Sequence, residues 1–154
     1  MTHPAFAPDD ILTGEPTRSA RLKWVIVVDD GAPLGQMVNA VACISASTGN
    51  AISGLIGPTA MDATGSAHEG LPWAGCSVLS ATAEQISAIR ARAAGHDAIF
   101  VADMPLSAQT NRVYDEYLAE LSTTRAADVA PIALSMIGPR AEIDAIVKRL
   151  SLLA

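Results

Sequence analysis

Two polar residues near the middle of the chain have the types and spacing of a general base and a hydroxyl that positions the substrate. Asp103 ends an apolar run, and Ser107 follows it four residues later. A carboxylate that is partly removed from water can act as a general base, and a nearby hydroxyl can position a substrate oxygen. Asp and Ser also cap helices by accepting hydrogen bonds from the free backbone amides at a helix start. The two residues are therefore candidates for catalysis, with helix capping as the structural alternative.

Amide and carboxylate side chains elsewhere form a set of candidate ligand-binding residues. Gln36 and Asn39 lie three residues apart on the first predicted helix, and Asn111 lies on a later one. An Asn inside a helix is unfavourable unless its amide is used, so a ligand contact and a structural hydrogen bond are both open. Asp29 follows the first predicted strand, although Asp29, Asp30 and a glycine are also typical of a turn.

Histidine and cysteine spacing predicts neither a metal site nor a catalytic thiol. The three histidines are scattered and have no acidic or cysteine partner at ligand spacing. Cys43 and Cys76 form no CxxC pair, and we predict two free, buried thiols. No glycine-rich phosphate-binding motif occurs, so no cofactor is predicted.

The candidates must be positioned by alternating strands and helices. Apolar patterning predicts four strands at 22–28, 76–81, 97–102 and 132–137, and four helices at 34–48, 82–94, 107–122 and 141–150. This order predicts a layered α/β domain with a mixed or mostly parallel sheet of about four strands and helices on both faces. Ligands gather beyond the carboxyl ends of strands in such sheets. We therefore expect Asp29, Asp103 and the 138–140 turn at one edge.

Length and composition predict one domain preceded by an arm. The chain has 154 residues, and residues 1–20 are rich in Pro, Asp and Thr. We predict a flexible N-terminal arm over 1–20 and a single α/β domain over 21–154. The first twenty residues contain no hydrophobic signal core, and no apolar run approaches the length of a membrane span. The predicted location is the cytoplasm, with no membrane contact.

Charge composition limits the classes of partner that we expect. Ten Lys and Arg against sixteen Asp and Glu give a net charge of −6. Nucleic-acid binding is disfavoured, because phosphate contacts come mainly from Lys and Arg. Only 17% of the residues are charged, below the roughly 25% that is typical of soluble domains. The weakly charged surface predicts a small molecule or a protein as partner, with a homodimer as one form.

Three segments resemble the type II peptidyl-tRNA hydrolases. They are LKWVIVVDDGAPLGQMVNAVACISAS, DAIFVADMPLS and PIALSMIGPRAEIDAIVKRLSLL, which together span most of 22–153. The resemblance implies that family's α/β fold. It also implies that Asp103 stands at the catalytic aspartate and Ser107 at a threonine. The two helix-start lysines correspond to Gln36 and Val38, so the lysine expected to serve catalysis is absent.

The chain is also similar to a bacterial family, the domain of unknown function two-thousand group. Gly35 and Asn39 match its G-x-x-x-N helix start, and a Thr-x-Asn-like stretch lies around Thr110 and Asn111. This resemblance implies a hydrolase-like fold and names no activity. We interpret the protein as a small-molecule-binding or interaction protein that lacks the catalytic lysine. The alternative is a divergent ester or amide hydrolase that uses Asp103, so the sequence leaves enzymatic activity open.

Overall fold

The structure is a computed structural model that describes residues 3–154. Strands and helices alternate through most of the chain. In chain order they are β1 (Leu22–Asp29), α1 (Leu34–Ala51), β2 (Ala60–Met61), β3 (Ala67–His68), β4 (Ser77–Ala81), α2 (Ala83–Ala93), β5 (Phe100–Pro105), α3 (Leu106–Thr110), α4 (Tyr114–Thr123), β6 (Pro131–Pro139), α5 (Arg140–Val147) and β7 (Ser151–Leu152).

Five strands form one mixed sheet in the order β5-β6-β1-β4-β7. β4 is parallel to β1, whereas β6 is antiparallel to both of its neighbours, β1 and β5. The predicted mixed sheet is confirmed, but the expected count of about four strands is wrong. β7 was missed because it has only two residues, and the last helix ends at Val147 instead of 150.

Two apolar clusters pack on the two faces of the sheet. Alternate side chains of β1 point to opposite faces, as the pleat requires. Trp24, Ile26 and Val28 meet α1 on one face, and Val25 and Val27 meet α2 and α5 on the other. All residues of β6 except the last are buried, which is why its sequence is almost continuously apolar. Helices on both faces are thereby observed.

A chain of buried hydrogen bonds joins α1 to two strands. The Trp24 Nε1–H donates to Ser135 Oγ on β6 at 2.8 Å. Thr48 Oγ1 donates to the Ile44 carbonyl at 2.7 Å and also lies 2.7 Å from Ser135 Oγ. Because Thr48 uses its proton on the carbonyl, the Ser135 hydroxyl donates to Thr48. Each polar group in this apolar layer therefore has a partner, and α1 has one register on the sheet.

The first helix is buried along only one stripe. Ala40, Ile44 and Thr48 face the sheet, whereas the opposite face is open to solvent. Within residues 3–154, no element covers this outer face. Both cysteines are also exposed, in contrast to the prediction of buried thiols.

The helix predicted over 107–122 is two helices, α3 and α4. The chain is extended at Asn111 and again at Val113, which breaks the helix between them. No residue of α4 is buried, because α4 packs beside α3 and not under the sheet. Two of its large side chains are open to solvent: Tyr114 is 73% exposed and Leu118 is 46% exposed.

The N-terminal segment lies against the domain. Phe6 is buried, its ring contacts the Trp73 ring edge-on at 4.9 Å, and its backbone crosses Gly54. Gly54 has a φ of +75°, and a side chain there would meet the Phe6 carbonyl. Residues 50–72 contain the end of α1 and the β2–β3 hairpin. The flexibility of residues 1–20 stays a prediction. None of the helices within 3–154 is both long enough and apolar enough to cross a bilayer.

We predict that Ser135→Ala destabilises the protein by about 1–3 kcal/mol, because the indole N–H of Trp24 is left buried without an acceptor. Urea denaturation measures this change. Ser122→Ala is the matched control, because Ser122 is exposed on α4 and should alter the free energy of unfolding by less than about 0.5 kcal/mol. Equal stability of Ser135→Ala and the wild type would contradict the account of the cluster.

Candidate functional site

Because β6 runs antiparallel to β1 and β5, the residues predicted to form one site lie at two opposite ends of the strands. The carboxyl ends of β1, β4 and β5 share one edge of the sheet, because these strands run the same way. β6 runs against them, so its carboxyl end and the 138–140 turn lie at the opposite edge. The expectation that this turn joins Asp29 and Asp103 is wrong.

Asp103 points to the sheet face that carries α2. Phe100 and Met104 of β5 pack on the α1 side, so the alternating Val101 and Asp103 face the other way. There the Arg90 Nε–H of α2 donates to Asp103 Oδ2 at 2.7 Å. Both side chains are mostly buried, with 27% and 20% exposure. The carboxylate is therefore held by a guanidinium from the neighbouring helix.

A pocket of about 570 Å³ lies along β5, and we call it the β5 pocket. Half of its wall residues are apolar and half are titratable. The wall residues are His3, Pro4, Arg90, Ala94, His96, Asp97, Ile99, Phe100, Val101 and Asp103. Small-molecule sites are commonly concave and mostly apolar, with few polar groups that fix the ligand's orientation. Of the residues predicted for the site, Asp103 is the one that lines this pocket.

Arg90 is the strongest ligand-binding group in the β5 pocket. Its Nε is used by Asp103, and its two terminal nitrogens have no hydrogen-bond acceptor within residues 3–154. His96 lies 3.6 Å from Glu142, and the His3 ring packs edge-on against Phe100 with a centroid distance of 5.0 Å. The planar fork of a guanidinium matches carboxylate and phosphate oxygens. The pocket can therefore receive an anion against an apolar wall.

Gln36 and Asn39 lie on the other face and join α1 to α3. Gln109 Nε2 of α3 donates to the Gln36 carbonyl at 2.8 Å and to Asn39 Oδ1 at 3.1 Å. The Gln109 Oε1 is buried and has no partner among residues 3–154. These bonds assign Asn39 a structural contact and bring none of the three residues into the β5 pocket.

Ser107 lies in a second, smaller pocket between α3 and α4, and Asn111 bonds to two of the residues that line it. Ser107 lines this pocket of about 240 Å³ together with Glu120 and Asp128. Asn111 Nδ2 donates to Glu120 Oε2 at 2.8 Å and to the Ser107 carbonyl at 3.0 Å. No hydrogen bond links Asp103 to Ser107 within the described chain. The predicted base, Asp103, and the predicted positioning hydroxyl, Ser107, line different pockets.

Neither Asp29 nor Tyr117 lines the β5 pocket. Asp29 Oδ1 accepts a hydrogen bond from the Gly31 backbone N–H at 3.0 Å, which is the turn geometry left open by the sequence. Burial, with the neighbouring Tyr114 and the Asp103 carboxylate, raises the pKa of Tyr117 on α4. Over residues 3–154, no three His, Cys, Asp or Glu side chains group together as a metal site.

Sequence reasoning missed Arg90 as a site residue. It lies in the apolar pattern of Ile86, Ile89 and Ala93 on α2. A helix stripe with spacing i, i+3, i+4 and i+7 faces the protein. An arginine at the i+4 position of such a stripe must lie at the rim of the core. The position of Arg90 in the sequence therefore predicts a guanidinium at the rim of the core.

The fold and the β5 pocket define a mixed α/β protein with an arginine in a pocket that is lined by both apolar and titratable residues. The chain belongs to the family described as Protein of unknown function (DUF2000), which it matches over residues 22–154. It is also similar to the solved structure of a protein of unknown function from Agrobacterium tumefaciens. That likeness has a TM-score of 0.74 and 19% sequence identity, and it covers 87% of this chain and 98% of the other. No curated protein matches the sequence.

We predict that Arg90 and Asp103 stabilise the fold jointly. In a double-mutant cycle of Arg90→Gln, Asp103→Asn and the double variant, urea denaturation should give a coupling energy of about 1 kcal/mol. The reason is that each single variant leaves a mostly buried charge without its partner. Additive effects of the two substitutions would mean that the pair does not hold Asp103 in place.

Proposed function

We propose that the protein is a non-catalytic binding protein for a small organic acid, and that the β5 pocket is its site. One observation carries this proposal: Arg90 lines the β5 pocket, and of its nitrogens only Nε has a hydrogen-bond partner among the described residues. A carboxylate or phosphate ester would accept two hydrogen bonds from the guanidinium. Its apolar body would pack against Ile99, Phe100 and Val101.

In this proposal Asp103 is a positioning residue and not a general base. Its carboxylate holds Arg90 through Nε, which leaves the other side of the guanidinium for the ligand. A base needs a free carboxylate within reach of the proton that it removes. Asp103 is bound by Arg90 and lines a different pocket from Ser107. Both observations favour a binding protein over the hydrolase alternative. The absence of a lysine at Val38 favours it too.

The finer description of the fold belongs to the same proposal. We infer a type II peptidyl-tRNA hydrolase-like fold, supported by the resemblance of three segments and by a mixed sheet that contains all of their strands. Two unpaired thiols favour a reducing compartment and hence the cytoplasm of a bacterium. Ligand contacts by Asp29, Gln36, Asn39 and Asn111 stay predictions, as does a role for Ser107.

We predict that benzoate binds in the β5 pocket. Titration followed by NMR should give saturable shifts at the backbone amides of Phe100 and Val101. Benzamide has nearly the same shape without the charge, so it should bind at least about tenfold more weakly. The reason is that a hydrogen bond to a charged group contributes roughly 1.5–3 kcal/mol against about 0.5–1.5 kcal/mol for a neutral one, and a carboxylate can accept two from Arg90.

Two arginines on α2 provide a matched control. Arg90→Gln should weaken benzoate binding at least about tenfold, whereas Arg92→Gln should leave it unchanged, because Arg92 does not line the β5 pocket. Equal affinity for benzoate and benzamide, or equal effects of the two substitutions, would contradict the proposed site.

A further inference from the structure

We propose that a pocket between α2 and the end of α5 is a second anion site, and that it binds a small molecule with two or more phosphate groups. The pocket has a volume of about 440 Å³ and is lined by residues between Gln85 and Arg92 and between Ala145 and Leu150. We call it the α2–α5 pocket. Its volume lies within the range of roughly 300–1,000 Å³ that small-molecule sites have. It shares no lining residue with the β5 pocket, so it is a separate site.

One stripe of α2 forms a wall of the α2–α5 pocket. Gln85, Ala88, Ile89 and Arg92 line the pocket, and their spacing of i, i+3, i+4 and i+7 places them on one side of the helix. Arg92 Nη2 donates to the Ala145 carbonyl on α5 at 3.5 Å. The guanidinium of Arg92 therefore reaches from α2 to α5 and stands in the wall of the pocket.

Three cationic side chains line the α2–α5 pocket, and among residues 3–154 no Asp or Glu does. Besides Arg92 they are Lys148 and Arg149, which follow the last residue of α5. None of the three forms an ion pair within the described chain, whereas four of the chain's seven other Lys and Arg residues do. All three are exposed to solvent. A ligand can therefore reach three cations that have no carboxylate partner.

The acidic residues of α5 do not neutralise this charge. Asp144 pairs with Lys23 of β1, and Glu142 lies 3.6 Å from His96. Arg92 lies in the last turn of α2 and Lys148 follows the last turn of α5. The carbonyls at a helix end amount to roughly half a negative charge, so two helix ends offset only about one of the three cations. The pocket is therefore locally positive on a chain with a net charge of −6.

The number of cations favours a ligand with more than one phosphate group. Arginine donates two hydrogen bonds to phosphate oxygens, and lysine binds them as a point charge. Two linked phosphate groups can contact several cations at once, which a single phosphate cannot do as fully. A nucleic acid would extend beyond the pocket over an acidic surface, where its phosphates would be repelled. A small ligand remains within the pocket.

Titration with inorganic pyrophosphate, followed by NMR, tests the α2–α5 pocket. Saturable shifts should occur at the backbone amides of Ala88 and Ala145, and inorganic phosphate should bind at least about tenfold more weakly. Arg149→Gln should weaken pyrophosphate binding about two- to fivefold, the range expected for one exposed ion pair. The triple variant Arg92→Gln/Lys148→Gln/Arg149→Gln should weaken it at least about tenfold. These side chains are exposed, so the variants should fold.

Arg112→Gln is the matched control, because Arg112 is also exposed and has no ion-pair partner in the described chain, but lies outside the α2–α5 pocket. It removes the same charge and should leave pyrophosphate binding unchanged. Equal effects of Arg112→Gln and Arg149→Gln, equal affinities for phosphate and pyrophosphate, or the absence of saturable shifts would each overturn the proposal. The benzoate site is followed at Phe100 and Val101, so the two sites can fail separately.

Discussion

The antiparallel position of β6 between β5 and β1 is the constraint on which the rest of the structure depends. β6 pairs along almost its full length with β1 and again with β5. Every backbone group in its middle is thus used in the sheet, and nearly every side chain is buried. A strand in this position fixes the direction of its neighbours and decides which chain ends meet at each edge of the sheet.

That arrangement separates the two kinds of surface on this protein. The pleat of β5 turns Phe100 and Met104 toward α1 and turns Asp103 toward α2. The charged pair with Arg90 therefore forms on the face that carries the β5 pocket. The other face holds α1 through the hydrogen bonds from Trp24 to Thr48, and this helix presents its neutral outer surface to solvent.

Much of this fold could be predicted from the sequence because its signals are local. The β-branched run at 22–28 predicts β1, and Thr82 followed by Gln85 has the spacing of a capping box, whose two hydrogen bonds the structure contains at the start of α2. The direction of β6 could not be predicted, because an apolar run looks the same whichever way the strand runs. The resulting error assigned the 138–140 turn to the wrong edge.

The candidate site was harder to predict because its partners are distant along the chain. Asp103 was selected for its place at a strand end, but Arg90 reaches it from another helix through tertiary packing. The apolar spacing of α4 predicts a buried face, but no residue of α4 is buried. Such a pattern does not show whether another layer covers the helix. Gln109 shows the same limit: its bonds to α1 depend on the break before α4.

The central claim is that the protein binds a ligand in the β5 pocket and does not hydrolyse one with Asp103. The most direct measurement is the release of peptide from peptidyl-tRNA by the purified wild type, by Val38→Lys and by Asp103→Ala. The account predicts no release above the protein-free rate for any of the three, because restoring a lysine on α1 leaves Asp103 bound to Arg90 on the opposite face. Release by the wild type or by Val38→Lys that is absent in Asp103→Ala would contradict it.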